Sequence, residues 1–312
     1  TGRTGKGCAE KNRTERRSMN INTKKAKGNA LLLLTAFIWG IAFVAQSAGM
    51  DYVGPFAFLF ARSVLGGLVL IPCIFLMDHL TPEAEREKKR QMPKRPLLIG
   101  GVCCGCVLFL ASSLQQYGIQ YTTVGKAGFI TALYIIIVPF LRIFTGQRIR
   151  RKLWISVALA VVGMYFLCIT EGFSISAGDF LELLCAVAFA CHILVIDHFS
   201  PQVDGVRMSC IQFFVCAALA GVSMLLVEPV SFSAMTRAWL PIVYAGVLSS
   251  GAGYTLQILA QKDTDPVVAS LLMSMESVFA MLAGWVLLGQ ALSPREMLGC
   301  GLVFAGIILA QL

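Results

Sequence analysis

The residue with the most chemistry to offer is a carboxylate in the middle of an apolar stretch. Glu276 lies within the run 266–288, roughly 15 Å of helical rise from its start and so near the midplane of a bilayer. An ionisable group at that depth costs at least about 2.5 kcal/mol, so it faces a cavity or a partner. It suits the cationic group of a small solute, a proton in transit, or a structural bond to a neighbouring helix. Arg62, inside another apolar run, attracts an anion or extends its long side chain outward. His192 titrates near neutrality or serves as hydrogen-bonded packing. Polar side chains also recur at helical spacing. Ser112 with Gln116, Thr131 with Tyr134, and Ser250 with Tyr254 and Gln257 each share a face, while Ser274 directly precedes Glu276. Trp39 suits a cavity wall or plain packing. Pro139 removes the backbone bond to Ile135 and kinks its helix beside Tyr134, as a gate requires. Lys126 opens its apolar run, where it anchors at the interface or lines a mouth. The candidate substrate-binding set is Glu276, Tyr134, Thr131, Trp39, Gln116, Gln257, Tyr254, Ser274, Arg62 and His192, with Pro139 and Lys126 as gating candidates.

Only a lipid environment can position such residues. The 312 residues are 57% hydrophobic and 14% charged, with a mean hydropathy of +0.74, whereas soluble domains carry about a quarter charged residues. This composition argues against an ordinary soluble domain, a disordered chain, a secreted disulfide scaffold and a nucleic-acid-binding domain. Apolar runs long enough to cross about 30 Å of hydrocarbon occupy 29–49, 55–77, 97–118, 126–145, 153–170, 178–197, 208–228, 239–261, 266–288 and 295–312. The expectation is an all-α integral membrane fold of ten transmembrane helices. Ten of the eleven cysteines lie in these runs without ligand-spaced His or acid, and read as small packing residues.

The formal net charge of +9 is unevenly placed. Residues 1–28, 78–96 and 142–152 carry the surplus, and the rest of the chain is net acidic. That is the pattern of positive loops kept on the cytoplasmic side, which puts both termini there. The basic 1–28 segment has no apolar period, and its composition predicts a disordered cytoplasmic tail.

The chain also resembles itself. At an offset of 143, Gly146-Gln147 falls on Gly289-Gln290 and Gly163 on Gly306; at 142, LQQYGIQYTT falls on LQILAQKDTD and Tyr134 on Glu276; at 150, GNALLLLTAFIWG falls on GDFLELLCAVAFA and Arg62 on Gln212. The units are 29–170 and 171–312. Five helices per copy is an odd number, so the second copy enters from the opposite side, and the fold becomes two inverted five-helix repeats around a midplane site.

Segments YTTVGKAGFITALYIIIVPFLRIFTGQ and VVASLLMSMESVFAMLAGWVLLGQALSPREMLGCGLVFAGIILA, with Trp39-Gly40 and Arg62, resemble the EamA-type branch of the drug/metabolite transporter superfamily. The resemblance implies ten helices in two inverted halves and movement of small metabolites, often amino acids, outward across the plasma membrane. Two departures stand out. The family commonly has Gly-Glu where this chain has Gln147 and Gln290, and Pro after the acid where this chain has Ser277.

No nucleophile elbow, zinc-binding His-Glu pair or phosphate-cradling loop occurs, so the chain reads as no enzyme, with no cofactor and no metal. The expected function is secondary transport of a small neutral or zwitterionic, amino-acid-like metabolite by alternating access, in the direction of export. A non-transporting receptor or scaffold, and a carrier of phosphorylated or nucleotide sugars, are the alternatives. Expected partners are a small-molecule substrate, the lipid bilayer and protons, with no nucleic acid, in a monomer or homodimer.

Overall fold

Prolines and small polar caps decide where the helices start. Pro55, Pro266 and Pro294 each occupy a first helical position, where the missing N–H costs nothing. Asp204 and Asp265 cap through their carboxylates, and Ser176 with Asp179 forms a reciprocal capping box. The computed structural model describes the backbone of residues 3–122, 124–144, 146, 149–168, 176–229, 231–288 and 293–311. Side chains are described from residue 25 onward, except 85, 88–90, 124–126, 167–168, 284, 287–288 and 311.

Among the described residues the chain is all-helical. In order come α1 (Arg3–Met50), α2 (Pro55–Leu80), α3 (Glu83–Gln91), α4 (Lys94–Tyr121), α5 (Val124–Thr131), α6 (Tyr134–Phe144) and α7 (Arg151–Cys168). There follow α8 (Ala177–Phe199), α9 (Gly205–Val227), α10 (Phe232–Arg237), α11 (Trp239–Val243), a π-helical segment (Tyr244–Tyr254), α12 (Thr255–Gln261), α13 (Pro266–Met273), α14 (Met275–Leu288) and α15 (Pro294–Gln311).

Eight helical stretches of the described residues are long and apolar enough to cross a membrane: Lys25–Met50, Pro55–Leu80, Lys94–Tyr121, Ala127–Phe144, Ala177–Phe199, Gly205–Val227, Trp239–Gln261 and Pro266–Ala283. The remaining two apolar runs correspond to α7 and α15, of 18 residues each. Three runs that read as single helices are interrupted in the structure, between α5 and α6, between α13 and α14, and by the π-helical segment. The backbone of the N-terminal segment continues α1 from Arg3 without a break, because no proline precedes Pro55 and helix already formed propagates readily.

α7 and α15 pack lengthwise through glycines. A Cβ on Gly163 would lie 2.7 Å from Gly299 O and Val303 N, and one on Gly306 would lie 2.7 Å from Ser156 O. As one index rises the other falls, so the two helices run antiparallel. The contact is reciprocal at the offset of 143, since Ser156 and Gly163 match Gly299 and Gly306. A second reciprocal pair follows the repeat: a Cβ on Gly28 of α1 would stand 3.5 Å from Ala260 O and 2.7 Å from the Thr264 hydroxyl oxygen, and one on Gly178 of α8 would stand 2.8 Å from Gly118 O. At Gly163, Gly306 and Gly178 no side chain fits between backbones so close. Gly163→Val is expected to destabilise the folded protein by about 2 kcal/mol, since backbone rather than a movable side chain meets the new methyls. A lowered midpoint in thermal unfolding of detergent-purified protein checks this; an unchanged midpoint contradicts the packing.

Candidate functional site

Helix breaks set the centre of the molecule. In α5–α6 the N–H groups of Leu133, Ile135 and Ile136 donate to Ile130, Ala132 and Leu133, three residues back instead of four. Pro139 lies five residues further on, inside α6, and its ring disfavours regular backbone one turn earlier. In α13–α14 the break falls at Ser274, where the Ser277 N–H donates to the Ser274 carbonyl. Tyr134 opens α6 and Glu276 stands in the first turn of α14. The Tyr134 hydroxyl donates to Glu276 Oε1 at 3.0 Å, and both side chains are buried. These are the two residues matched at an offset of 142.

Around that pair lies a cavity of about 470 Å³ including its open mouth. α1 contributes Trp39, Ala42, Phe43 and Gln46, α2 contributes Arg62, and α4 contributes Gln115. Thr131 and Tyr134 come from either side of the α5–α6 break, Phe189 and Ile193 from α8, Ser249 and Tyr254 from the π-helical segment, Gln257 from α12, and Met273 and Glu276 from α13–α14. Two opposite charges therefore share one enclosed space.

Among the described residues neither charge has an ionic partner. The Arg62 Nη1 donates to Gln46 Oε1 at 2.9 Å, and the guanidinium carbon lies 6.0 Å from the Phe58 ring centre. Ion pairs of the described residues are Arg142–Asp265 and Arg207–Asp78, and neither reaches the cavity. A guanidinium offers five donors. Arg62 spends one on Gln46, so the rest are available to a ligand. Among the described residues Glu276 accepts from Tyr134 alone, and Gln257 Oε1 is buried without a hydrogen bond.

The π-helical segment explains how one wall is built. Its wider turn brings Ser249 and Tyr254, five apart, to the same side. Carbonyls of this segment accept from α1: the Trp39 indole N–H donates to Ser249 O at 3.3 Å and the Thr35 hydroxyl to Gly253 O at 3.3 Å. Trp39 also packs on Tyr254, with ring centres 4.6 Å apart. Gly253 permits that approach, since a Cβ there would stand 2.6 Å from the indole nitrogen.

Of the expected site residues, Glu276, Tyr134, Thr131, Trp39, Gln257, Tyr254 and Arg62 come together on the cavity. Gln116, Ser274 and His192 do not line it. Gln116 is fully buried one position round the helix from Gln115, with neither side-chain polar atom hydrogen-bonded. Ser274 turns its hydroxyl back to Leu271 O at 2.7 Å. His192 Nε2 lies 3.2 Å from Gln212 Oε1 and its ring meets Tyr254 edge-on, behind the wall. Ser249 takes the lining place expected of Ser250. Gln46 and Gln115 are additions. The Gln115 signal was present as its match to Gln257 at offset 142, whereas nothing local marks Gln46. Lys126 lies on α5 with its side chain outside the described residues, and Gln147 and Gln290 are outside them altogether.

Comparison with known proteins decides the family. The model of the EamA-like transporter family matches twice, over residues 26–169 and 176–312. The chain belongs to the EamA-like transporter family. Similar proteins in this family include an uncharacterized transporter of Archaeoglobus fulgidus, 29% identical over 90% of this chain and 84% of that protein. The threonine/homoserine exporter RhtA of Escherichia coli is 28% identical over 88% of each chain. The S-adenosylmethionine/S-adenosylhomocysteine transporter of Chlamydia muridarum is 23% identical over 88% of this chain and 89% of that one. A crystal structure shares the fold at a TM-score of 0.75 and 20% identity, over 91% of this chain and 96% of that chain. This EamA-like protein is thus a multi-pass membrane transporter and not an enzyme.

Proposed function

We propose that this EamA-like protein exports a small zwitterionic metabolite, of amino-acid type, across the plasma membrane by alternating access. The single observation that carries the reading is a buried guanidinium and a buried carboxylate, Arg62 and Glu276, facing one cavity without ionic partners among the described residues. Buried charges of opposite sign that do not neutralise each other match a solute carrying both signs. Arg62 receives its carboxylate, Glu276 with Tyr134 its ammonium group, and Gln115 and Gln257 the polar remainder. The exporter of threonine and homoserine among the similar proteins handles solutes of this class.

The cycle we propose uses ten helices in two inverted repeats, 29–170 and 171–312, with 1–28 and both termini cytoplasmic. Reciprocal contacts of Gly163 with Gly306 and of Gly28 with Gly178, the antiparallel α7 and α15, and two matches of one family model all support it. The pair Tyr134–Glu276 then lies on the pseudo-two-fold axis, beside breaks in both matched helices. Pro139 keeps the first break soft.

Carriage of phosphorylated or nucleotide sugars is disfavoured by one observation. Arg62 is the lone cation on the cavity among its described lining residues, where a diphosphate needs several. The test is counterflow in proteoliposomes loaded with unlabelled amino acid. Labelled zwitterions should enter against their gradient, while sugar phosphates should not; entry of sugar phosphates alone contradicts the assignment.

A further inference from the structure

Behind the cavity wall lies a second buried carboxylate that cargo binding does not use. Glu182 of α8 is fully buried, and its Oε2 accepts a hydrogen bond of 2.7 Å from the Thr131 hydroxyl. Its Oε1 is buried with no hydrogen-bond partner, pressed against Gly118, where a Cβ would stand 2.5 Å away. Thr131 is the last residue of α5 and lines the cavity, whereas Glu182 does not. The two hydroxyls that flank the α5–α6 break thus each hold a carboxylate: Tyr134 holds Glu276, and Thr131 holds Glu182.

Among the described residues no cation pairs with Glu182. From α4 it meets Gly118 and from α5 Thr131, neither of them ionisable. On its own helix Asp179 and Cys185 stand one turn to either side, and across Cys185 lie Glu276 of α14 and Arg62 of α2. Tyr134 opens α6 just beyond Thr131. Asp179 accepts from the Thr122 hydroxyl at 2.5 Å and closes the capping box at the start of α8, one turn before Glu182. An uncompensated carboxylate in this position is costly, and uptake of a proton removes the cost.

We propose that Glu182 is the proton-carrying residue of the transport cycle, coupled to the cargo through the Thr131 hydroxyl. The inference rests on the carrier reading above and assigns its energy source. With Glu182 ionised, Thr131 gives its hydrogen to Glu182 and turns lone pairs to the cavity, which favours the ammonium end of a zwitterion. When a proton enters past Asp179 and binds Glu182, the new O–H donates to Thr131 Oγ1. The Thr131 hydrogen then points into the cavity and disfavours the ammonium group. Proton uptake and cargo release are linked, and one proton enters for each solute that leaves. The bond that changes is the O–H of Glu182, formed with a proton taken from water on the outer side and broken when that proton is given to water on the inner side.

Two measurements on the full chain test this. In proteoliposomes, Glu182→Gln should keep counterflow of labelled threonine but lose transport driven by an imposed pH gradient by about tenfold or more. Thr131→Ser, which retains the hydroxyl, should stay coupled, and Thr131→Val should not. Gradient-driven transport by Glu182→Gln at the wild-type level overturns the proposal and leaves the carrier reading intact. Absence of threonine counterflow in the wild type counts against the carrier reading, and infrared titration of purified protein then decides the role of Glu182. A titrating carboxyl band lost in Glu182→Gln and retained in Glu276→Gln supports the proposal. A band unchanged in Glu182→Gln overturns it.

Discussion

Glu276→Gln is expected to lower transport of a zwitterionic amino acid by about 100-fold, equivalent to ~3 kcal/mol of lost interaction with the ammonium group. The substitution keeps side-chain volume and leaves the Tyr134 hydroxyl an amide oxygen to donate to, so folding should survive. Loss of charge at a buried side chain is compensated by water less than at a surface, which makes the effect larger. Initial rates of counterflow, with folded yield measured alongside, check this. Near-wild-type flux in a well-folded variant would mean that the carboxylate serves only as a helix–helix bond.

Arg62→Met should be comparably severe, but selective. The apolar replacement retains the packing of the aliphatic stem and removes the donors aimed at the cargo carboxylate. Affinity for a zwitterionic amino acid should fall by about 100-fold, whereas affinity for the matching amine without a carboxylate should change little. Competition of each compound against labelled amino acid measures both. Equal losses for the two compounds would contradict the assignment of Arg62 to the carboxylate end.

Much of the fold was legible because lipid imposes few solutions. Long charge-free runs mark helices, and their boundaries agree with the structure to within a few residues in α2, α8 and α9. The central pair was legible as well, since self-comparison matched Tyr134 to Glu276 before any contact was visible. Helical phase was harder. In Gln115-Gln116 adjacent residues point about 100° apart, and the choice of which one faces the cavity depends on packing that a polar dipeptide does not encode. The stripe through Ser250 assumed regular α-helical spacing. The π-helical turn widens that spacing, so Ser249 takes the place instead. Glu182 is a charge within the apolar run 178–197. Its partner Thr131 is 51 residues away, and no local pattern connects them.

Gln46 illustrates the same limit. It lies sixteen residues from Arg62 and becomes its partner only when α1 and α2 fold back on each other. The continuous α1 is a different case. Composition of the basic segment speaks for disorder, yet composition is blind to the helix that it continues.

Access to the cavity from both faces of the membrane is the most direct measure of the central claim. Ser249→Cys, with the other cysteines replaced, places one thiol on the cavity wall. Membrane-impermeant thiol reagents applied to right-side-out and to inside-out vesicles should each label it, and a zwitterionic amino acid should protect it on both sides. Labelling from one face only, with no protection by any such solute, would contradict a carrier built around Arg62 and Glu276.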